Sequence, residues 1–113
     1  METKELMIGD KVMVKVLSQI PDTYVLHTWT ANDYSRDLQV KPIPLTAKIL
    51  EKNGWWYNVE DMWLHDEIDL SIEKWNGKFQ CYDINQIKLR SVHQLQQILR
   101  LCGLNELADN FKV

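Results

Sequence analysis

Glycine, proline and cysteine are all scarce in this chain, with 4, 3 and 2 residues among 113. So few breakers leave no room for a low-complexity linker or tail. The two cysteines, Cys81 and Cys102, stand far apart without C-x-x-C spacing, and the composition holds enough core residues to need no disulfide. Two reduced, buried thiols are therefore expected. No apolar run approaches the roughly 18 to 20 residues that span a bilayer, and Met1 to Asp10 is too polar for a signal peptide. The expectation is a soluble cytoplasmic protein with no membrane contact. No internal repeat is present, and the length suits a single domain over residues 1–113.

An excess of basic charge is also missing, since the formal net charge is −3. Residues 1–59 balance 7 bases against 7 acids, residues 60–73 hold 6 acids and no base, and residues 74–113 hold 6 bases and 3 acids. Binding of nucleic acid by bulk charge is disfavoured, because counterion release needs clustered Lys and Arg. A small basic face near the C-terminus is still allowed.

What is there reads mostly as strand. After the Ile8-Gly9-Asp10 turn, Lys11 to Leu17 carries β-branched residues at period two. Beyond the Ile20-Pro21-Asp22 turn, Tyr24 to Thr30 is apolar on both faces, as in a strand covered from both sides. Ala31 to Arg36 reads as a loop and Asp37 to Val40 as a short third strand, ended by Pro42 and Pro44, which cannot donate backbone bonds. Thr46 can N-cap a short helix, with Leu45 and Leu50 at the spacing of a hydrophobic staple and Asn53-Gly54 as its stop.

Trp55 to Val59 and Met62 to Leu64 are short aromatic strands, and Ile68, Leu70 and Ile72 alternate with Asp69, Ser71 and Glu73 as a half-buried strand. Asn76-Gly77, between Trp75 and the segment Lys78 to Tyr82, favours the positive φ angles of a type I′ hairpin. Ile87 to Arg90 alternates again. Ser91 and Gln94 form a capping box for a C-terminal helix that Gly103 stops, with Val92, Leu95, Ile98, Leu99, Leu101 and Cys102 on its apolar face. Its polar face is His93, Gln96, Gln97 and Arg100, and a final turn from Asn105 to Phe111 adds Leu107 and Phe111 to the core. The expected fold is α+β and mainly β, a small curled antiparallel sheet or SH3-like barrel with a short middle helix and a capped C-terminal helix.

Three stretches carry a resemblance: Ile8-Gly9-Asp10-Lys11-Val12, Pro42-Ile43-Pro44-Leu45-Thr46 followed by Ile49 to Trp55, and Val92-His93-Gln94-Leu95-Gln96. In this order, over nearly the whole chain, they resemble a family of small uncharacterised proteins of Bacteroides-type gut bacteria and their phages or prophages. The resemblance implies a phage-associated or mobile-element accessory context. It brings no activity, cofactor or catalytic residue.

No motif rises to a catalytic or ligand-binding signature. His27, His65 and His93 lack metal-ligand spacing with one another or with a cysteine, and the acidic run Glu60, Asp61, Asp66, Glu67, Asp69 and Glu73 lacks the calcium-loop pattern. Neither a metal, a cofactor nor an enzymatic activity is expected. The 5 Trp and 4 Tyr are the better lead, because one small core does not easily hide so many rings. Exposed Trp and Tyr anchor interfaces, and Trp29, Trp56, Trp63, His93 and Gln97 are the candidates for binding a protein partner or a second copy of the chain. An exposed sheet edge would add to such a surface. The alternative is a nucleic-acid accessory protein that contacts a strand through Lys88, Arg90 and Arg100.

Overall fold

Alternating buried valines and short, register-fixing turns set the architecture. The structure, a computed structural model, describes residues 1–15, 23–58, 60–82 and 87–113. It is α+β and mainly strand, with antiparallel sheets of 3 and 5 strands and three α-helices among the described residues. The expected class is therefore observed, but among the described residues no closed barrel forms, because the strands divide between two sheets. The chain separates into two compact units, one of Met1–Ile43 with Ser91–Phe111 and one of Pro44–Arg90 with Lys112–Val113.

In the first unit β1 (Lys11–Lys15) lies between β2 (Tyr24–Thr28) and β3 (Val40–Lys41). Val12 and Val14 point inward and form a core with Leu6, Trp29 and Val40, as period-two alternation requires. The readings at Val16, Leu17 and the Ile20-Pro21-Asp22 turn lie outside the described residues. Three local readings are corrected here. The second strand is an edge strand with Val25 and Leu26 exposed, not a strand covered on both faces. The third strand starts only at Val40. Ala31–Ser35 is a 3-10 helix held by a capping box of Thr30 and Asp33, where a loop was expected.

Helix α1 (Ala47–Lys52) belongs to the second unit, while α2 (Val92–Leu101) and α3 (Asn105–Asp109) belong to the first. The α2 capping box is present, with the Ser91 N–H donating to Gln94 Oε1 at 3.2 Å. Gly103 takes φ 78°, and the Leu104 N–H reaches the Leu99 carbonyl at 2.8 Å, closing a Schellman stop. The buried face of α2 differs from the apolar stripe. His93 and Gln96 are buried, whereas Leu101 is 83% exposed and Cys102 is exposed. The expectation of two buried thiols thus holds for Cys81 alone.

Gln96 is buried because backbone groups satisfy its amide: Oε1 accepts from the Lys11 N–H at 2.8 Å, and Nε2 donates to Gly9 O at 3.0 Å and Ala108 O at 2.8 Å. One side chain thereby ties β1, the turn before it and α3 to α2. Asp10, fully buried, accepts from the Met7 N–H, from Gln97 Nε2 and from Arg100 Nη1. A buried carboxylate persists only with such partners. Burial pushes the His93 imidazole below its usual pKa, against the opposing pull of Asp10 and Glu5.

In the second unit Thr46 Oγ1 accepts from the Ile49 N–H at 3.2 Å, and Leu45 and Leu50 are both buried, as the cap and staple require. Gly54 follows at φ 93°, where an added Cβ would lie 2.6 Å from His65 Nε2. The sheet is a meander of β4 (Trp55–Asn58), β5 (Met62–His65), β6 (Ile72–Trp75), β7 (Lys78–Cys81) and β8 (Ile87–Leu89). Val59 lies outside the described residues. The half-buried strand read from Ile68 onward begins only at Ile72, because the Leu70 carbonyl is taken by the Trp55 indole N–H at 3.2 Å instead of by a neighbouring strand. Among the described residues no helix is long and apolar enough to cross a membrane.

Candidate functional site

The Asn76-Gly77 turn organises the surface of the second unit. Both residues take positive φ, 52° and 74°, so the loop is the tight type I′ turn its sequence specifies. A two-residue turn allows one register: Trp75 faces Lys78, Glu73 faces Gln80 and Ile72 faces Cys81. Ile72, Phe79, Cys81 and Leu89 are buried on one side of the sheet. Period two therefore sends Glu73, Trp75, Lys78, Gln80 and Lys88 to the other.

The β4–β5 hairpin is sorted in the same way, with Trp55 opposite His65, Trp56 opposite Leu64 and Tyr57 opposite Trp63. Trp55 and Trp63 point to the buried side, where His65 stands edge-on to Trp55 at 4.8 Å and Tyr57 edge-on to Trp63 at 5.5 Å. Trp56 points outward, 45% exposed, and its indole N–H donates to Asp66 at 3.0 Å. Trp75 on the same outer face is 61% exposed. Two strand spacings and four residues separate these tryptophans, roughly 16 Å. Half-buried Met62, Leu64 and Glu73 fill the ground between them.

Beside the Asn76-Gly77 turn, on the side of the sheet that carries Phe79 and Leu89, lies a pocket of about 210 Å³ lined by Leu45, Gly77, Lys78, Phe79, Leu89 and Arg90. Its floor is apolar and two cations stand at its wall. The Leu45 N–H bonds the Arg90 carbonyl at 3.1 Å, which fixes Leu45 beside the end of β8. The volume is below the usual range for small-molecule sites and suits one side chain.

Of the residues singled out from the sequence, Trp56, Lys88 and Arg90 belong to this unit and are exposed, but Trp56 lies on edge strand β4 and Lys88 on the opposite edge strand β8. Trp29 and Trp63 are buried and are no surface anchors: Trp29 completes the core beneath β1, and the Tyr57–Trp63 register turns Trp63 inward. His93 is likewise buried, with Ser91 Oγ 3.1 Å from its Nδ1. Gln97 donates to Glu5 O and Asp10 Oδ2, and Arg100 is ion-paired with Asp10 and lies 3.5 Å from Asp109. Both hold the first unit together, whereas Lys88 and Arg90 belong to the second. Sequence reasoning missed Trp75, although a signal was available: counting by two from the core residue Ile72 puts Trp75 on the wet side.

The acidic run supplies acceptors to aromatic donors, Asp66 to Trp56 and Asp61 to the Tyr57 hydroxyl at 2.8 Å, a bond that raises the Tyr57 pKa. Among the described residues no group of three His, Cys, Asp or Glu side chains is placed to hold a metal ion. The arrangement offers anchoring surface, a side-chain-sized pocket and cations at its wall, which together suit docking. No family model, no curated protein and no solved structure matches this chain.

Proposed function

We propose that the protein is a small non-enzymatic interaction module of the cytoplasm that docks a protein partner on the outer face of its five-stranded sheet. One observation carries the reading: Trp56 and Trp75 stand on the same sheet face with 45% and 61% of their surface open to water. Between them they leave roughly 200 Å² of ring surface uncovered, worth several kcal/mol on burial. Tryptophans held in this way are the usual energetic anchors of interfaces. The resemblance to phage- and prophage-encoded proteins of gut bacteria makes an accessory role toward a host or phage protein part of the same proposal.

The test compares wild type, the double variant Trp56→Ser/Trp75→Ser and the control Leu101→Ser in sedimentation runs and in pull-downs from host lysate. A stoichiometric partner, or a dimer, that is retained by the control and lost by the double variant is the expected result. Equal capture by the double variant, or a wild type that stays monomeric and captures nothing, would overturn the proposal.

A further inference from the structure

The outer face of the three-stranded sheet has a different chemistry. Because Val12 and Val14 point into the core, Lys11, Met13 and Lys15 point away from it. The register sets Thr28, Leu26 and Tyr24 beside them from β2 and Lys41 beside Met13 from β3. This face therefore carries three lysines, and no Asp or Glu occurs in any of its strands.

Two of the three ammonium groups are held in place. Lys11 Nζ donates to Thr28 Oγ1 at 2.6 Å, and Lys41 Nζ sits 4.0 Å from the centroid of the Tyr24 ring. An ammonium has three donors, so one such contact orients it and leaves donors for an anion. Lys11 and Lys15 are about 13 Å apart along β1, and Lys41 stands between them on the neighbouring strand, about 8 Å from each. Exposed Leu26, half-buried Met13 and the Tyr24 ring lie among the cations. A polyanion whose charges alternate with flat apolar groups fits this pattern: phosphates against the lysines, and bases on the aromatic and aliphatic ground between them. A duplex would offer the phosphates but keep its bases stacked away from the sheet.

We propose that this face, formed by Lys11, Lys15, Lys41, Tyr24, Met13 and Leu26, binds single-stranded nucleic acid without sequence preference. Fluorescence anisotropy with a labelled oligothymidylate of about 12 nucleotides tests it. Three phosphate contacts give a slope of log K against log salt of about −2. The variant Lys11→Gln/Lys15→Gln/Lys41→Gln should bind at least about tenfold more weakly, with a slope near zero. Lys41→Gln alone should lower the slope by about 0.7. All substituted positions lie on the solvent side, and an unchanged circular dichroism spectrum confirms the fold. Trp56→Ser/Trp75→Ser should bind the oligonucleotide as wild type does, which separates this site from the docking face. No binding at low salt, an unchanged slope in the triple variant, or equal binding of a duplex or an anionic phospholipid vesicle would overturn the assignment.

Discussion

Asp33 offers the sharpest test of how the first unit is held. Its carboxylate is buried, yet its Oδ2 accepts from the Thr30 N–H at 2.8 Å, the Thr30 hydroxyl at 2.9 Å and His27 Nε2 at 2.8 Å, while Arg36 Nη1 lies 3.3 Å from Oδ1. Burial alone would raise its pKa. The His27 hydrogen bond, the two Thr30 bonds and the His27 charge outweigh it and lower the pKa from 3.8 to about 2. That change corresponds to about 2 kcal/mol of stability. Because the folded pKa is the depressed one, the contribution is complete above about pH 5, falls by about half near pH 3 and is nearly gone by pH 2.

Asp33→Asn keeps the shape and one acceptor oxygen but removes the charge. It should lower stability by about 2 kcal/mol at neutral pH, and the gap to wild type should close through this acid window. Burial holds the His93 pKa down, so acid also destabilises the fold as His93 charges, but this occurs in both proteins and cancels in the difference. Urea titrations at a series of pH values, followed at the Trp29 indole N–H resonance, supply the measurement. Trp29 stands edge-on to His27 at 6.2 Å and to Tyr34 at 5.7 Å and so reports on the unit that contains Asp33. A gap that stays constant from neutral pH to pH 2, or an Asp33 carboxyl that titrates at or above 3.8 by NMR, would refute the reasoning.

Three further outcomes follow from the same geometry. Gln96→Met keeps the volume but abandons the Lys11 N–H and the Gly9 and Ala108 carbonyls, so urea unfolding should show a loss of about 2–4 kcal/mol. Leu101→Ala, one turn away and exposed, should change stability by less than about 0.5 kcal/mol. Native protein should present one thiol to an aromatic disulfide reagent, Cys102, with Cys81 reacting only after denaturant is added; two fast thiols would contradict the burial of β7.

The elements legible in the sequence are those whose signals are local. The Asn76-Gly77 turn, the Thr46 cap with its Leu45–Leu50 staple and the Ser91–Gln94 box each act within three to five residues, and each is present where the residues predict it. The inward face of α2 could not be read in this way. Gln96 is buried through acceptors and donors at Gly9, Lys11 and Ala108, the first two more than eighty residues away, so helical periodicity counts it as polar and places it outside. The strand expected from Ile68 fails for a related reason, since a side-chain donor from Trp55 takes the Leu70 carbonyl that a ladder would have used.

The candidate surfaces stand between these cases. Alternation says that Trp55 and Trp56 face opposite ways, but only the pairing of Tyr57 with Trp63 and of Trp63 with Ile72 decides which way is in. Once one buried residue per strand is known, period two assigns the rest: Ile72 puts Trp75 outside, and Val12 puts Lys11 and Lys15 outside. Lys41 joins them only through the pairing of β1 with β3, which links residues twenty-six and twenty-eight apart. Both proposed binding faces are thus what the core leaves outward after register is set, so a change that shifts register by one residue would bury their anchors and expose the core together.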